Sequence, residues 1–472
     1  MSAALLLLQA AADTLQAAPD TLLTAAQRLE AARAGLDTPL AARLVGVLGI
    51  AVMIGLAVAM SYNRRRIDWR LVATGLGLQA LFGLIVLKTG PGRAFFDVVG
   101  RGITGLLSFQ EQGARFVFGN LVQSNVPVGT PGAGGALDTT AGYVANTGAY
   151  FAFNVLPTII FFSALMSVLY YLNIMQVVVK GIAWVMQKTL RTSGAETLSA
   201  SGNIFLGQTE APLLIKPFVK TFTHSELMTV MVGGFATVAG GVMAAYVGML
   251  SGYFPGIASH LLAASVMNAP AGLYLSKIIR PEVDEPVTRG TLRMEIEKTD
   301  SNVIEAAAGG AAQGVQLAIN VAAMLMAFVA LVALLNFGLG WAGGLVGYPE
   351  LSLQGMLGFL LRPLAWVMGT PWQDTAYVGG LIGVKTTLNE FVAYAQFAGD
   401  LSSGVVLEPR SAIILTYALL GFANFSSIAI QIGGIGGLAP ERRGDIARLG
   451  LRAMIAGNLA AFTSAAIAGM LV

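Results

Sequence analysis

Residues Gly202–Pro217 read GNIFLGQTEAPLLIKP, and the rest of the chain is best interpreted outward from this stretch. Apolar residues surround the polar triplet Gln208–Thr209–Glu210, and Pro212 follows it closely. An unpartnered carboxylate inside a membrane costs about 3 kcal/mol or more. Pro212 removes a backbone donor and pushes the residue before it out of helical geometry. The stretch therefore predicts two half-helices that meet at a polar tip, an arrangement with which transporters bind small polar solutes.

The composition places this stretch in a membrane protein. Hydrophobic residues make up 55% of the 472 residues and charged residues only 11%, whereas charged residues are about 25% of a soluble domain. A net charge of +3 is too small to suggest a nucleic-acid partner. The chain has no cysteine and two histidines, which excludes thiolate chemistry and a histidine-rich metal centre. We expect no organic cofactor and no enzymatic activity.

Eight apolar stretches are long enough to cross a bilayer, which takes about 20 residues. These spans are 40–61, 71–89, 148–171, 225–248, 257–279, 313–338, 411–435 and 447–470. Two more apolar stretches, about 194–222 and 373–400, are interpreted as hairpins that enter and leave the membrane on one side. Arginines at 64–66 directly follow the first span and mark the cytoplasmic side. Both termini are therefore predicted on the outer, periplasmic side.

An internal repeat relates the two predicted hairpins. The tetrapeptide AWVM occurs at Ala183–Met186 and again at Ala365–Met368. Glu210 follows the first copy after 24 residues, Glu390 follows the second after 22, and an interrupted span comes after each. The topology gives the repeats opposite orientations, which is typical of transporters. We predict an all-α polytopic membrane protein with eight transmembrane helices and two opposed re-entrant helical hairpins in an inverted repeat.

The polar residues of the two hairpins are candidates for solute binding. The side chains of Gln208, Thr209 and Glu210 provide donors and acceptors that suit the edge of a heterocycle. Alternatively, Glu210 pairs with a lysine or caps a half-helix. Glu390 can accept two hydrogen bonds from a vicinal diol. Alternatively, it forms a salt bridge with Lys385, although a spacing of five residues is poor for a helical pair.

Two further groups of residues lie in the interrupted spans. Asn424 and Ser427 are three apart and share a face if they lie on a helix, and Phe422 can supply an apolar wall. Such polar side chains also serve helix packing in membranes. Asn203 and Thr237 lie beside predicted helix breaks, where side-chain and carbonyl oxygens can bind a small hard cation.

With these motifs in hand, the chain resembles the concentrative nucleoside transporter family. The resemblance covers about 148–472 and extends more weakly back to the first span. The motifs that carry it are SGNIFLGQTEAPLLIKP at 201–217, ATVAGGVMAAY at 236–246, TTLNEFVAY at 386–394 and GFANFSSIAIQIGG at 421–434. The resemblance implies a cation-coupled nucleoside symporter in the cell inner membrane. It also implies a homotrimer, in which a transport domain moves against a scaffold like an elevator.

The resemblance also implies roles for individual residues. The residues expected to bind the nucleobase are Gln208, Thr209, Glu210 and Val242. Those expected to bind the ribose are Glu390, Asn424, Ser427 and Phe422. The sodium ligands are the side chains of Asn203 and Thr237, with the carbonyl oxygens of Leu206, Thr237 and Val238.

The same reasoning divides the chain into five parts. Residues 1–38 form an N-terminal extension, which lacks the early basic residue of a secretory signal. Residues 39–171 carry scaffold spans one to three, and 281–351 a loop and a further scaffold span. The two repeats of the transport domain are 172–280 and 352–472, each with an interfacial helix, a hairpin and two spans.

Three alternatives to a sodium-coupled symporter stay open. One is a proton-coupled nucleoside symporter that uses Glu210 or Glu390. Another is an intramembrane enzyme with these glutamates as acid and base, although the sequence contains neither an HExxH motif nor a GxSxG elbow. The last is a passive channel, which two opposed hairpins suit less well than alternating access. The expected partners are nucleosides and the lipid bilayer, with Na⁺ as coupling ion or H⁺ as the alternative.

Overall fold

The computed structural model describes residues 38–123, 125–127, 130–131, 137–138, 144–146, 151–254, 256–290 and 301–472. The predicted N-terminal extension lies outside these residues except for Thr38. The loop between the second and third predicted spans lies partly outside them. Within it, two short antiparallel pairs form, in which Val126 faces Ala145 and Pro131 faces Leu137.

The other regular elements of the described residues are helices. The first eight helices are α1 (Leu40–Ala59), α2 (Trp69–Lys88), α3 (Gly90–Phe118), α4 (Leu156–Tyr171, after a π-helical turn Phe151–Val155), α5 (Ile174–Leu190), α6 (Gly194–Gly202), α7 (His224–Ala236) and α8 (Gly240–Leu250). The next eight are α9 (Ile257–Ile279), α10 (Val303–Gly344), α11 (Leu353–Val367), α12 (Thr375–Thr387), α13 (Glu390–Ser402), α14 (Pro409–Leu419), α15 (Phe425–Leu438) and α16 (Arg443–Leu471). The strands are β1 (Asn125–Pro127), β2 (Thr130–Pro131), β3 (Leu137–Asp138) and β4 (Val144–Asn146), and short 3₁₀ helices are Arg64–Arg66, Gly119–Val122, Ala211–Thr221, Trp372–Asp374 and Pro440–Arg442.

The helix lengths are those of a multi-pass membrane protein. Six helical segments of the described chain are long and apolar enough to cross a bilayer: 40–59, 69–88, 151–171, 224–250, 303–344 and 440–471. The predicted span 257–279 coincides with α9, and the predicted span 313–338 lies inside α10. The all-helical class of the membrane region is therefore confirmed.

Both spans that were predicted to be interrupted contain a break. Each of these spans consists of two helices, and the first of them ends before the middle of the span: α7 ends at Ala236 and α14 ends at Leu419. Thr237 is extended, and Gly421 has a φ of 114°, which glycine adopts without strain. A side chain at position 421 would come within 2.6 Å of the Phe235 carbonyl oxygen. Glycine therefore lets the second break lie directly against the end of α7.

The two hairpins differ in their returning limbs. In the first hairpin, α6 returns as the 3₁₀ helix Ala211–Thr221, whereas in the second, α12 returns as the α-helix α13. The two predicted half-helices of the first hairpin are therefore an α-helix and a 3₁₀ helix. Pro212 and Pro217 lie in this limb and have no backbone N–H for an α-helical ladder.

The duplicated tetrapeptide has the same environment in both copies. In the first copy Ala183 and Met186 are fully buried, whereas Trp184 is 58% exposed. In the second copy Ala365 and Met368 are fully buried and Trp366 is 38% exposed. The first copy lies in the C-terminal part of α5, which continues to Leu190, and the second lies at the end of α11; each of these helices precedes a hairpin. The repeat read from the sequence thus has a structural counterpart.

A buried polar network fixes the base of the first hairpin. The Lys277 ammonium, on α9, lies 2.8 Å from a Glu196 carboxylate oxygen and 3.1 Å from Glu282. Glu196 caps the start of α6 and Glu226 caps the start of α7. The hydroxyl of Ser193 donates to Glu226 at 2.6 Å, so the two caps are joined. The network therefore connects α6, α7 and α9.

Lys277→Met is expected to lower the free energy of unfolding by about 3–5 kcal/mol, because it leaves the buried carboxylate of Glu196 without a counter-charge. Unfolding in detergent, followed by circular dichroism, measures the change. Lys220→Met is the matched control, since Lys220 is 64% exposed and 4.0 Å from Glu441, and it should cost less than about 1 kcal/mol. Adding Glu196→Gln to Lys277→Met should restore part of the loss. Equal effects of the two methionine variants would contradict this assignment.

Candidate functional site

One cavity lies where the two hairpins meet the two helix breaks. All eight residues predicted to bind the solute line it: Gln208, Thr209, Glu210, Val242, Glu390, Phe422, Asn424 and Ser427. Its volume is about 140 Å³, roughly ten times what one water molecule needs. The cavity is therefore large enough to admit part of a small organic solute, and both repeats contribute polar groups to it.

The tip of the first hairpin is tied to α15. The Gln208 side chain donates to the Ser427 hydroxyl at 3.1 Å and accepts from the Gln431 amide at 3.1 Å. Glu210 precedes the 3₁₀ limb, but its side chain forms no cap. Within the described chain, its Oε2 is buried and has no hydrogen-bond partner. Glu210 thus has a free acceptor at the cavity, and the capping alternative is wrong.

The Glu390 carboxylate is held by two donors. Tyr246 donates its hydroxyl to one oxygen at 3.1 Å, and Asn424 donates its amide to the other at 2.9 Å. Each carboxylate oxygen can accept more than one hydrogen bond. Glu390 can therefore bind solute hydroxyls while Tyr246 and Asn424 keep it oriented.

Lys385 does not hold Glu390 in a salt bridge. Its ammonium donates to the carbonyl oxygens of Ala418 and Leu420, at 2.8 and 3.2 Å. Both carbonyls belong to the end of α14 and its cap. The alternative in which Lys385 pairs with Glu390 to hold the hairpin is therefore not the observed contact.

Asn424 lies at the start of α15 rather than on the face of a continuous helix. Its side-chain oxygen accepts from the Ser427 backbone N–H at 2.9 Å and from the Ser426 hydroxyl at 2.7 Å. The expectation that Asn424 and Ser427 share a helical face is corrected, because the helix begins at Phe425. As an N-cap, Asn424 has its amide free to reach Glu390.

The remaining wall of the cavity is apolar and comes partly from a predicted scaffold helix. Leu317, Val321 and Leu325 are four residues apart on α10 and face the cavity beside Val242 and Phe422. Their spacing is that of one helical face. These three residues are absent from the sequence-based predictions, although their periodicity indicates one contact face of α10.

Two further polar residues were missed by the sequence analysis. Gln431 and Tyr246 are fully buried and hold Gln208 and Glu390, respectively. Gln431 also donates to the Met231 carbonyl oxygen at 3.0 Å. Both residues stand within the motifs quoted above, and a single glutamine in an apolar helix is itself a signal of a specific contact.

The residues predicted to bind a cation lie beside the first break. Asn203 and Val238 are fully buried and Thr237 is 1% exposed. The Asn203 amide donates to the Ser199 carbonyl at 3.0 Å, whereas its Oδ1 is buried without a hydrogen-bond partner. A side chain at Gly233, in the last turn of α7, would lie 3.2 Å from the Asn203 amide nitrogen. An unpaired amide oxygen next to the open end of a half-helix fits a small hard cation.

The acidic and histidine side chains in the described part of the chain do not form a metal-binding cluster. There, no three His, Asp or Glu side chains approach one another closely enough to hold a metal ion. The oxygens around the first break are neutral amide, hydroxyl and carbonyl groups. Such a set suits a weakly bound alkali cation better than a tightly held divalent ion.

Three family models match the chain. They are the Na⁺ dependent nucleoside transporter N-terminus over residues 48–121, a nucleoside recognition (Gate) model over 152–253, and the Na⁺ dependent nucleoside transporter C-terminus over 260–469. Together they extend from α1 to α16.

Individual relatives are similar over most of the chain. An uncharacterized transporter of Haemophilus influenzae is 45% identical over 433 residues, which are 91% of this chain and 98% of the relative. Mouse sodium/nucleoside cotransporter 1 is 43% identical over 445 residues. That alignment covers 91% of this chain but only 64% of the longer mouse protein.

The solved structures of CNTnw have the same fold. Its inward-facing substrate-bound state matches with a TM-score of 0.80 and 42% identity, over 91% of this chain and 98% of CNTnw. A double variant in an outward-facing state matches with a TM-score of 0.82 and 42% identity, over 92% of this chain and 98% of that one. The motifs, the cavity and these matches agree, and the chain belongs to the concentrative nucleoside transporter family.

Proposed function

We propose that this protein is a sodium-coupled nucleoside symporter that works by elevator-type alternating access. The observation that carries the proposal is the single cavity in which all eight predicted solute-binding residues meet. The unpaired oxygen of Asn203 beside the first break supports a cation site nearby. The name of one mouse relative, sodium/nucleoside cotransporter 1, supports the same coupling.

The proposed architecture has eight transmembrane spans and two opposed re-entrant hairpins. The scaffold comprises 39–171 and 281–351, and the transport domain comprises 172–280 and 352–472. In support, only 18% of the apolar 18-residue stretch of α10 is buried inside the protein, and 22% of that of α1. The corresponding stretch of α7–α8 is 89% buried. We place the protein in the cell inner membrane as a homotrimer, with both termini outside. The exposed apolar faces of the scaffold then contact lipid or neighbouring protomers.

Nucleoside recognition is divided between the two repeats. Glu390, with Asn424 and Ser427, accepts and donates hydrogen bonds at the ribose hydroxyls. Gln208, Thr209 and Glu210 bind the polar edge of the base, where the unpaired Glu210 oxygen is available. Val242 and Phe422 pack against the faces of the ligand. Charged acceptors fix the hydroxyls more strongly than neutral ones do, which favours nucleosides over free bases.

The cation binds one turn from the base-recognising tip. Asn203 and Thr237 provide side-chain oxygens, and Leu206, Thr237 and Val238 provide carbonyl oxygens. The cation supplies positive charge at the open end of α7. Because Leu206 and Gln208 belong to the same turn, ion binding orders the residues that recognise the base. That shared turn couples the two ligands.

The apolar wall of α10 suits movement of the transport domain. Leu317, Val321 and Leu325 have no polar groups in their side chains. Sliding the polar half of the cavity along this wall therefore breaks no side-chain hydrogen bond with it. This is the physical basis on which we favour an elevator over an open channel.

Proton coupling is the second candidate. The observation that favours it is the buried Glu210 oxygen that lacks a hydrogen-bond partner. When this carboxyl group is protonated, it can donate a hydrogen bond to an acceptor atom of the nucleobase. The tip of the hairpin then carries no negative charge. Sodium coupling is preferred because the unpaired Asn203 oxygen cannot be satisfied by moving a proton within the physiological range.

Counterflow in proteoliposomes tests the function directly. Preloaded uridine should exchange for external uridine and adenosine in sodium medium, and exchange should fall at least about 10-fold when choline replaces sodium at constant pH. Equal exchange in both media would favour the proton-coupled alternative. Absence of counterflow for every nucleoside would contradict the proposed function. Mass analysis of the recovered solute checks for chemical change, which would indicate an enzyme.

Glu390→Gln should weaken binding of uridine and adenosine by the same factor, about 10- to 100-fold, because a charged hydrogen bond to the shared ribose is lost. Gln208→Ala should instead change the ratio of the two affinities. Glu350→Gln is the control, since Glu350 is exposed and remote from the cavity. Calorimetric titration of the purified protein gives the affinities. A base-dependent loss for Glu390→Gln would contradict its assignment to the ribose.

Asn203→Ala should raise the sodium concentration needed for half-maximal thermal stabilisation by about 10-fold or more, because a direct ligand is lost. The unfolding temperature is measured as sodium replaces choline at constant ionic strength. The matched control is Asn320→Ala, whose side chain is exposed on α10. If sodium stabilised the Asn203 variant as it stabilises the wild type, the ion would bind elsewhere.

A further inference from the structure

The proposed function leaves one buried charge unused. Lys385, in the last turn of α12, is completely buried. Its ammonium lies 2.8 Å from the Ala418 carbonyl oxygen, 3.2 Å from that of Leu420, and 5.6 Å from the centre of the Phe462 ring. A charged group inside a membrane protein is costly, so such residues usually serve the transport process.

Counted from the duplicated tetrapeptide, Lys385 has the same position in the second repeat as Asn203 has in the first. Asn203 lies 17 residues after Met186, the end of the first AWVM, and Lys385 lies 17 residues after Met368, the end of the second. Both residues lie at the far end of the first limb of a hairpin. Asn203 is the C-cap of α6, and Lys385 is in the last turn of α12.

The surroundings of the two residues also correspond. Asn203 packs against the last turn of α7, whose C-cap is Thr237. Lys385 reaches the last turn of α14, whose C-cap is Leu420. The carbonyl of Thr237 is one of the proposed cation ligands, and the carbonyl of Leu420 accepts a hydrogen bond from the ammonium. The end of α14 thus presents carbonyl oxygens to Lys385, and the last turn of α7 lies directly against Asn203.

We propose that the ammonium of Lys385 is a tethered cation that fills, in the second repeat, the position corresponding to the sodium site of the first. This inference rests on the proposed sodium site and extends it. The chain has two repeat-related cation positions, of which one exchanges a mobile ion and the other holds a fixed charge.

The fixed charge has a consequence for coupling. The C-terminal end of a half-helix carries partial negative charge and favours a cation. At α14 that group belongs to the chain itself, so the second break has its hydrogen-bond donor whether or not sodium is bound. At α7 the cation comes from solution. Only the first hairpin therefore responds to the sodium concentration, and a single sodium ion accompanies each nucleoside.

Lys385→Asn tests the inference, because it places at this position the residue type found in the first repeat. Equilibrium binding of radioactive sodium to purified protein gives the number of ions per protomer. We expect one ion for the wild type and two for Lys385→Asn, with a steeper sodium dependence of thermal unfolding. The control variant Lys220→Asn, which replaces an exposed lysine, should still bind one sodium ion per protomer. A folded Lys385→Asn variant that binds one ion would overturn the inference.

The reciprocal variant keeps the test decisive if Lys385→Asn fails to fold. Asn203→Lys should place a tethered ammonium at the first break, abolish sodium binding, and let the protein bind nucleoside without sodium. A folded variant that binds nucleoside only with sodium, or not at all, would contradict the inference. Failure of the proposed function is distinct from either result, because the wild type itself would then bind no sodium.

Discussion

A helix that breaks inside a membrane frees backbone carbonyl groups, and each of them needs a partner because no lipid group can supply one. Much of this structure follows from that requirement. Asn268, on α9, donates to the Ala236 carbonyl at the end of α7, at 2.7 Å. Asn458, on α16, donates to the Ala423 carbonyl just before α15, at 2.8 Å. The last helix of each repeat thus carries an asparagine that donates a hydrogen bond to a carbonyl group freed by a break. The Lys385 side chain donates to the carbonyl groups at the other end of the second break.

The two breaks also form a hydrogen bond with each other, which brings the polar residues of the two repeats together. The backbone N–H of Phe422 lies 3.3 Å from the Thr237 carbonyl, so the second break rests on the first. In the described chain, fourteen buried side-chain nitrogen and oxygen atoms lack a hydrogen-bond partner. Those of the described chain include Asn203 Oδ1 and Glu210 Oε2, which belong to the proposed cation site and the cavity. An unpaired buried oxygen is able to bind a ligand, which agrees with the roles proposed for these two residues.

The sequence predicted what depends on local patterns. Buried glutamates, prolines and glycines lie close together in the chain, and they located both hairpins and both breaks. Features that depend on how distant segments pack were not predictable in this way. The face that α10 turns to the cavity is one, and the donation of Tyr246 to Glu390, across 144 residues, is another. The 3₁₀ limb has a different origin: Pro212 and Pro217 both lie within it, so its type depends on two prolines rather than on the single break that Pro212 predicts.

The two repeats differ at the point where their functions diverge. The 3₁₀ limb of the first hairpin has poorer hydrogen-bond geometry than an α-helix, and two prolines reduce its ladder further. The second hairpin returns as a regular α-helix, with its start capped by Asn389 at 2.8 Å from the Val392 N–H. A limb with a weak ladder can be reordered by a bound ion at lower cost than a regular helix can. The exchangeable cation is therefore assigned to the hairpin that can respond to it, and the fixed ammonium of Lys385 to the hairpin that cannot.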